Sequence, residues 1–206
     1  DSLMNPTSRL EALDVSDEEL ALVPTATQQP GLMSLALRLG SPDAQFPLVW
    51  ASAEPYLPAV AALWGRLPAA LRPAFAFAFQ FAPELGLPIT PTLIATAPEL
   101  GNRWPATQLL PWSAPDSLTF DPAQSWLAGL PEGSRFSTVL ESFDMEVSQF
   151  SKLGLLASFS ELIADLPRLS LSDVKRAIHI VAKYGRRTPS ATAARSTLFD
   201  RVCALV

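Results

Sequence analysis

The most regular alternation of apolar and polar positions lies in residues 52–81, SAEPYLPAVAALWGRLPAALRPAFAFAFQF. Leu57, Val60, Ala61, Trp64 and Leu67 recur at spacings of three and four, which predicts a helix with one side turned to a core. Ser52 is placed to cap it, Pro55 is tolerated near its first turn, and Pro68 stops it. Pro73 then pushes the chain into extended backbone, and Phe75, Phe77 and Phe79 alternate with Ala74, Ala76 and Ala78. A period of two is that of a strand. With phenylalanine on one face and alanine on the other, neither face is polar, so the pattern predicts a strand covered on both sides. All three rings are expected in the core, each contributing about 1.5–3 kcal/mol if fully buried.

The neighbouring segments are shorter. Residues 30–39 fit a helix through Leu32, Leu35, Ala36 and Leu39, opened by Pro30 and closed by Gly40; Leu35, Leu37 and Leu39 also fit a strand, and the terminators favour the helix. Residues 46–51 and 92–97 are apolar strands, the second reached through a Pro- and Gly-rich loop at 83–91. Strand, helix, strand allows a parallel crossover, while the loop after Phe81 also allows antiparallel addition. Residues 118–120 predict a last short strand. Near the start, Ser16 and Glu19 are spaced as a capping box for a short helix.

Beyond Pro122 the period changes to helical throughout. Residues 123–130 hold Trp126, and residues 134–150 place Phe136, Val139, Leu140, Phe143, Val147 and Phe150 on one stripe, predicting a single helix. Residues 155–166 repeat the pattern, Ser172 caps a helix to Tyr184 that Gly185 stops, and a last helix runs from Ser190 through Leu198, Val202 and Leu205. The expected architecture is α+β: a small mixed sheet with packed helices over residues 1–121, then a helical bundle over residues 122–206.

Composition adds a partner to this picture. Of the 206 residues, 49% are hydrophobic and only 17% charged, against a usual charged share of about 25%. The chain is short of solvating surface, and because no apolar run approaches bilayer-spanning length, no membrane is expected. The surplus points to a large core or to a surface buried against another protein. Twenty prolines sit at element boundaries rather than in tracts. One cysteine, Cys203, excludes an internal disulfide, and with no secretory signal ahead of the first element a cytoplasmic location is expected. The start at Asp1, without methionine, reads as part of a longer chain. The net charge of −5 is unevenly spread: residues 174–206 carry seven Arg and Lys against one Asp, so an acidic body ends in a basic tail.

Motifs for chemistry are missing from the sequence. It has no phosphate-cradling glycine loop, HExxH, GxSxG elbow or paired-cysteine zinc spacing, so no cofactor, metal or catalytic centre is expected. Glu141, Asp144 and Glu146 read as the wet side of an amphipathic helix. A hydrolase using His179 or Cys203 ranks last, since a dyad needs an oriented thiolate and a third group.

Two surfaces remain as candidates. Arg103, Trp104 and Trp112 lie among prolines, where tryptophans either cover a core edge or meet a protein partner. Lys175, Arg176, His179 and Lys183 share one side of a predicted helix opposite Val174, Ile178 and Val181, and Arg186 and Arg187 extend the patch. Such a face can neutralise phosphates or dock on acidic protein. It also fits a solvated helix whose basic residues favour its C-terminal end.

Residues 63–79, LWGRLPAALRPAFAFAF, resemble the middle region of bacterial GTPase-associated conflict-system proteins, in which a helix ends in a Leu-Pro-x-x-Leu-Arg turn and leads into an apolar strand. Leu67 to Arg72 is similar to that turn, Phe75 to Phe79 to the strand, and Thr92 to Ala97 with Pro98 to the family's next segment; Pro73 and the alternating alanines depart from it. The resemblance implies a non-catalytic adaptor region acting beside a GTPase in bacterial antiviral defence. The expected function is therefore an interaction or scaffold module of a cytoplasmic bacterial assembly with protein partners, a GTPase among them. The alternative is a nucleic-acid-contacting subunit that uses the basic helix at 174–187.

Overall fold

Prolines and short apolar runs confine the sheet to three brief strands, and the computed structural model describes them within residues 30–41, 43–54, 56–83, 90–111, 119–189 and 191–205. The strands are β1 (Leu48–Ala51), β2 (Phe77–Phe79) and β3 (Leu93–Thr96). Their order is β1-β3-β2 and both pairings are parallel, with Leu48 and Phe77 each opposite Leu93. The direction left open by the sequence is thereby fixed. β3 is buried along its whole length, as a central parallel strand covered on both faces must be.

The register sorts the side chains. Leu48, Trp50, Leu93 and Ala95 face the main core, while Val49 and Ile94 face a smaller cluster covered by Trp104, with Ala51 and Leu109 beside it. The outer edge of β1 is occupied by residues 108–110. There the Val49 N–H donates to the Gln108 carbonyl at 2.8 Å and the Leu110 N–H donates to the Val49 carbonyl at 2.9 Å. The strand predicted at 118–120 does not form at Thr119 and Phe120, and Leu118 and the short helix predicted to be capped by Ser16 lie outside the described residues.

The described residues also form seven α-helices: α1 (Pro30–Gly40), α2 (Tyr56–Arg66), α3 (Pro122–Ala128), α4 (Ser134–Ser142), α5 (Leu153–Ala164), α6 (Leu171–Tyr184) and α7 (Thr192–Leu205). α1 buries Leu32, Leu35, Ala36 and Leu39 and packs on α3, where the Gln124 side chain donates to the Leu37 carbonyl at 3.2 Å. α2 buries Ala59, Val60 and Leu63, continued by Leu67, and leaves Leu57 exposed. The predicted stripe is thus rotated. In a helix this rich in apolar residues two stripes of the same period coexist, and only packing selects one.

α3 opens on a reciprocal capping box. The Asp121 side chain accepts from the Gln124 N–H at 2.8 Å, and the Gln124 side chain accepts from the Asp121 N–H at 2.9 Å. The helix ends at Gly129, in the left-handed region at φ 74°, under the Arg66 side chain, which donates to the Leu127 carbonyl at 3.2 Å. Burial there lowers the Arg66 pKa from its ordinary value.

The single helix predicted over 134–150 is divided. α4 stops at Ser142 because Asp144, at φ 48°, takes the left-handed position of a Schellman turn; the Met145 N–H donates to the Leu140 carbonyl at 2.8 Å and the Asp144 N–H to the Glu141 carbonyl at 3.0 Å. The whole stripe from Phe136 to Phe150 is nonetheless buried. Residues 144–146 then run antiparallel to 184–186 through a Met145–Gly185 bridge, flanked by an exposed Glu146–Arg186 ion pair at 3.1 Å. That pair lowers the Glu146 carboxyl pKa and contributes little to stability, being exposed.

α6 begins slightly earlier than predicted. Ser170, not Ser172, caps it, accepting from the Asp173 N–H at 3.2 Å. Gly185 comes after it with extended backbone, and a side chain there would crowd the Val181 and Phe143 carbonyls and Arg195. The fold is α+β, as the pattern predicts. Its main core is continuous, joining Leu35, Trp50, Leu63 and Leu93 to Leu127, Phe136, Phe159 and Leu198.

Candidate interaction surface

β2 holds the clearest departure from the sequence pattern. Phe75 is 2% exposed, but Phe77, Phe79 and Phe81 are 45%, 52% and 58% exposed. The expectation that the phenylalanine face lies wholly in the core is therefore corrected. The reason is the width of the helical cover. Trp64 of α2 lies 6.2 Å from the Phe75 ring and Phe150 packs edge-on at 6.0 Å, so cover ends at Phe75. Phe77 leans on Phe75 at 6.2 Å, and Phe79 and Phe81 meet edge to face at 5.1 Å, forming a row of their own. At half exposure three such rings present roughly 300 Å² of aromatic surface, the scale of patches that mark functional contacts on monomers.

Among the described residues the backbone of this strand is also unpaired along its outer edge. The Ala76 carbonyl accepts from the Thr92 and Leu93 N–H groups at 2.7 and 3.1 Å, and the Gln80 N–H donates to the Ala95 carbonyl at 3.0 Å. Even-numbered residues thus pair with β3, which directs the peptide groups of Phe77 and Phe79 away from the sheet. Among the described residues β2 pairs with β3 only. Exposed edges are usually blunted by charge, bulges or cover, yet residues 73–83 contain no charged side chain. The signal available in sequence was the charge-free stretch bracketed by Pro73 and Pro83, since prolines favour sheet edges.

The other candidates are dispersed. Arg103 is exposed, whereas Trp104 is buried against Val49 and Ile94 and serves as core on the second face of the sheet. Trp112 lies outside the described residues. Lys175, Arg176, His179 and Lys183 are all exposed on α6, with Lys183 over the Tyr184 ring at 5.3 Å. Arg186 is held by Glu146, and Arg187 is exposed beside a recess of about 250 Å³ between α6 and α7, floored by Ile178, Val181 and Leu198.

Cys203 and His179 are both exposed, on α7 and α6 respectively. Of the carboxylates weighed from sequence, Glu146 is spent on Arg186. Among the described residues no three His, Cys, Asp or Glu side chains gather as a metal site, and no helix is long and apolar enough to cross a membrane. No family model matches the chain, and comparison with curated proteins and with solved structures returns no match.

Proposed function

We propose that this chain is a non-catalytic interaction module whose working surface is the open edge of β2, acting as a scaffold in a cytoplasmic multiprotein assembly. One observation carries the reading: Phe77 and Phe79 of β2, and Phe81 just beyond it, are about half exposed, and among the described residues β2 pairs on one side only and carries no charge. Such an edge offers main-chain hydrogen bonds for affinity and aromatic anchors for specificity, the combination used in strand addition. The similarity of residues 63–79 to GTPase-associated defence proteins gives this reading its specific form, a bacterial adaptor beside a GTPase.

The test is capture from the native lysate after nuclease, with wild type, Phe79→Lys and a Lys175→Glu, Arg176→Glu, Lys183→Glu variant in parallel. A stoichiometric protein retained by wild type and by the charge-reversed chain, but lost with Phe79→Lys, supports the edge as the contact surface. Retention by all three refutes it.

The exposure of Lys175, Arg176, His179 and Lys183 on one face of α6 favours a second reading, contact with nucleic acid phosphates. It requires binding that weakens steeply with salt and is lost in the charge-reversed chain; binding indifferent to salt refutes it.

A further inference from the structure

This inference rests on the reading of β2 as a contact surface and names its partner. We infer that the open edge of β2 pairs antiparallel with the same edge of a second copy of this chain, joining two three-stranded sheets into one of six strands.

The exposed rings Phe77, Phe79 and Phe81 are spaced symmetrically about Phe79. A two-fold axis at Phe79 therefore sets Phe79 against its own counterpart and Phe77 against the counterpart of Phe81. Each of these three rings meets a ring, the aromatic cross-strand pairing that stabilises sheets. A foreign strand has no need of this symmetry. The backbone agrees, because residues 76 and 80 turn their peptide groups to β3, which leaves those of Phe79 outward, so that Phe79 and its counterpart on the axis form a hydrogen-bonded antiparallel pair.

Charge also selects a copy. The chain is acidic overall, at −5, yet residues 73–83 carry no charge, so two copies meet at this edge without like charges opposed. A partner chosen by charge would find nothing there to complement. Closure is set by the other side of the sheet. Residues 108–110 occupy the outer edge of β1, which leaves one open edge per chain among the described residues. Pairing then ends at two copies instead of extending into a filament.

The experiment is sedimentation equilibrium on the full chain from about 1 µM to about 1 mM, with residue-resolved hydrogen exchange on the same samples. Wild type is expected to pass from 22.2 kDa to twice that mass, with the Phe77 and Phe79 amides gaining protection as it does. Phe79→Lys, which opposes two like charges across the axis, is expected to weaken association by about a hundredfold or more. Phe199→Lys, which puts the same charge on exposed α7, is expected to leave association unchanged, and circular dichroism checks that each variant is folded. A dimer indifferent to Phe79→Lys, a mass that climbs past two copies, or a chain monomeric throughout the series each overturns the inference. In the monomeric case the lysate capture separates the two ideas: a partner lost with Phe79→Lys leaves the contact surface standing with a foreign occupant, and a partner indifferent to it removes both.

Discussion

Phe75 and Phe79 stand two steps apart in one alternating run, yet their replacement by alanine is expected to have very different costs. Phe75 is 2% exposed and held between Trp64 and Phe150, so Phe75→Ala removes a full core ring and leaves a cavity, a loss of about 3–5 kcal/mol. Phe79 is 52% exposed and its site opens to solvent, so no cavity is created. About half of a phenylalanine's transfer free energy is at stake, roughly 1 kcal/mol. Urea unfolding with linear extrapolation separates the two. At slopes of about 2–3 kcal/mol per molar, Phe75→Ala lowers the midpoint by roughly 1.5 M and Phe79→Ala by less than about 0.5 M. The measurement is made at low protein concentration and repeated at high concentration, since a cost that grows with concentration belongs to association. Equal costs at low concentration would refute the reasoning and return Phe79 to the core.

Three further outcomes are expected. Gly129→Ala combines a left-handed residue at φ 74° with overlap of the Arg66 guanidinium, and should cost about 2–3 kcal/mol in thermal or urea unfolding, falling to about 1–2 kcal/mol in an Arg66→Ala background. Burial raises the Asp121 carboxyl pKa, against the lowering effect of the Gln124 and Ala123 N–H groups. Its folded value then lies above its unfolded one, so the stabilisation from this group is full below the unfolded pKa and is lost as pH rises through the folded one. Asp121→Asn, which keeps an acceptor for the Gln124 N–H, should match or exceed wild type at neutral pH and lose ground as pH falls through the carboxylate range; Asp121→Ala should cost about 1 kcal/mol, and melts across pH check both. Thr96 buries its hydroxyl with no hydrogen-bond partner among the described residues, so Thr96→Val should stabilise the fold by about 1 kcal/mol in urea unfolding; a loss of that size would mean the hydroxyl is satisfied.

The sequence by itself determined which segments are helix and which are strand wherever a period ran between clear terminators. Pro30 and Gly40 bound α1, the period of three and four marked α2, and Ser170 and Gly185 bracket α6, two residues from the predicted cap at Ser172. It also determined the burial of the stripe from Phe136 to Phe150, because burying those rings outweighs local geometry. Tertiary structure decided the rest. The break after Ser142 depends on Asp144 entering the left-handed region, which aspartate reaches less readily than glycine and which no period reveals. The buried side of α2, the parallel direction of the strands and the core position of Trp104 depend on which surfaces meet. The same holds for the candidate site. Alternation fixes which side chains share a face of a strand but not how far the covering helices extend across it, and here the cover stops at Phe75, so three identical rings beyond it face solvent.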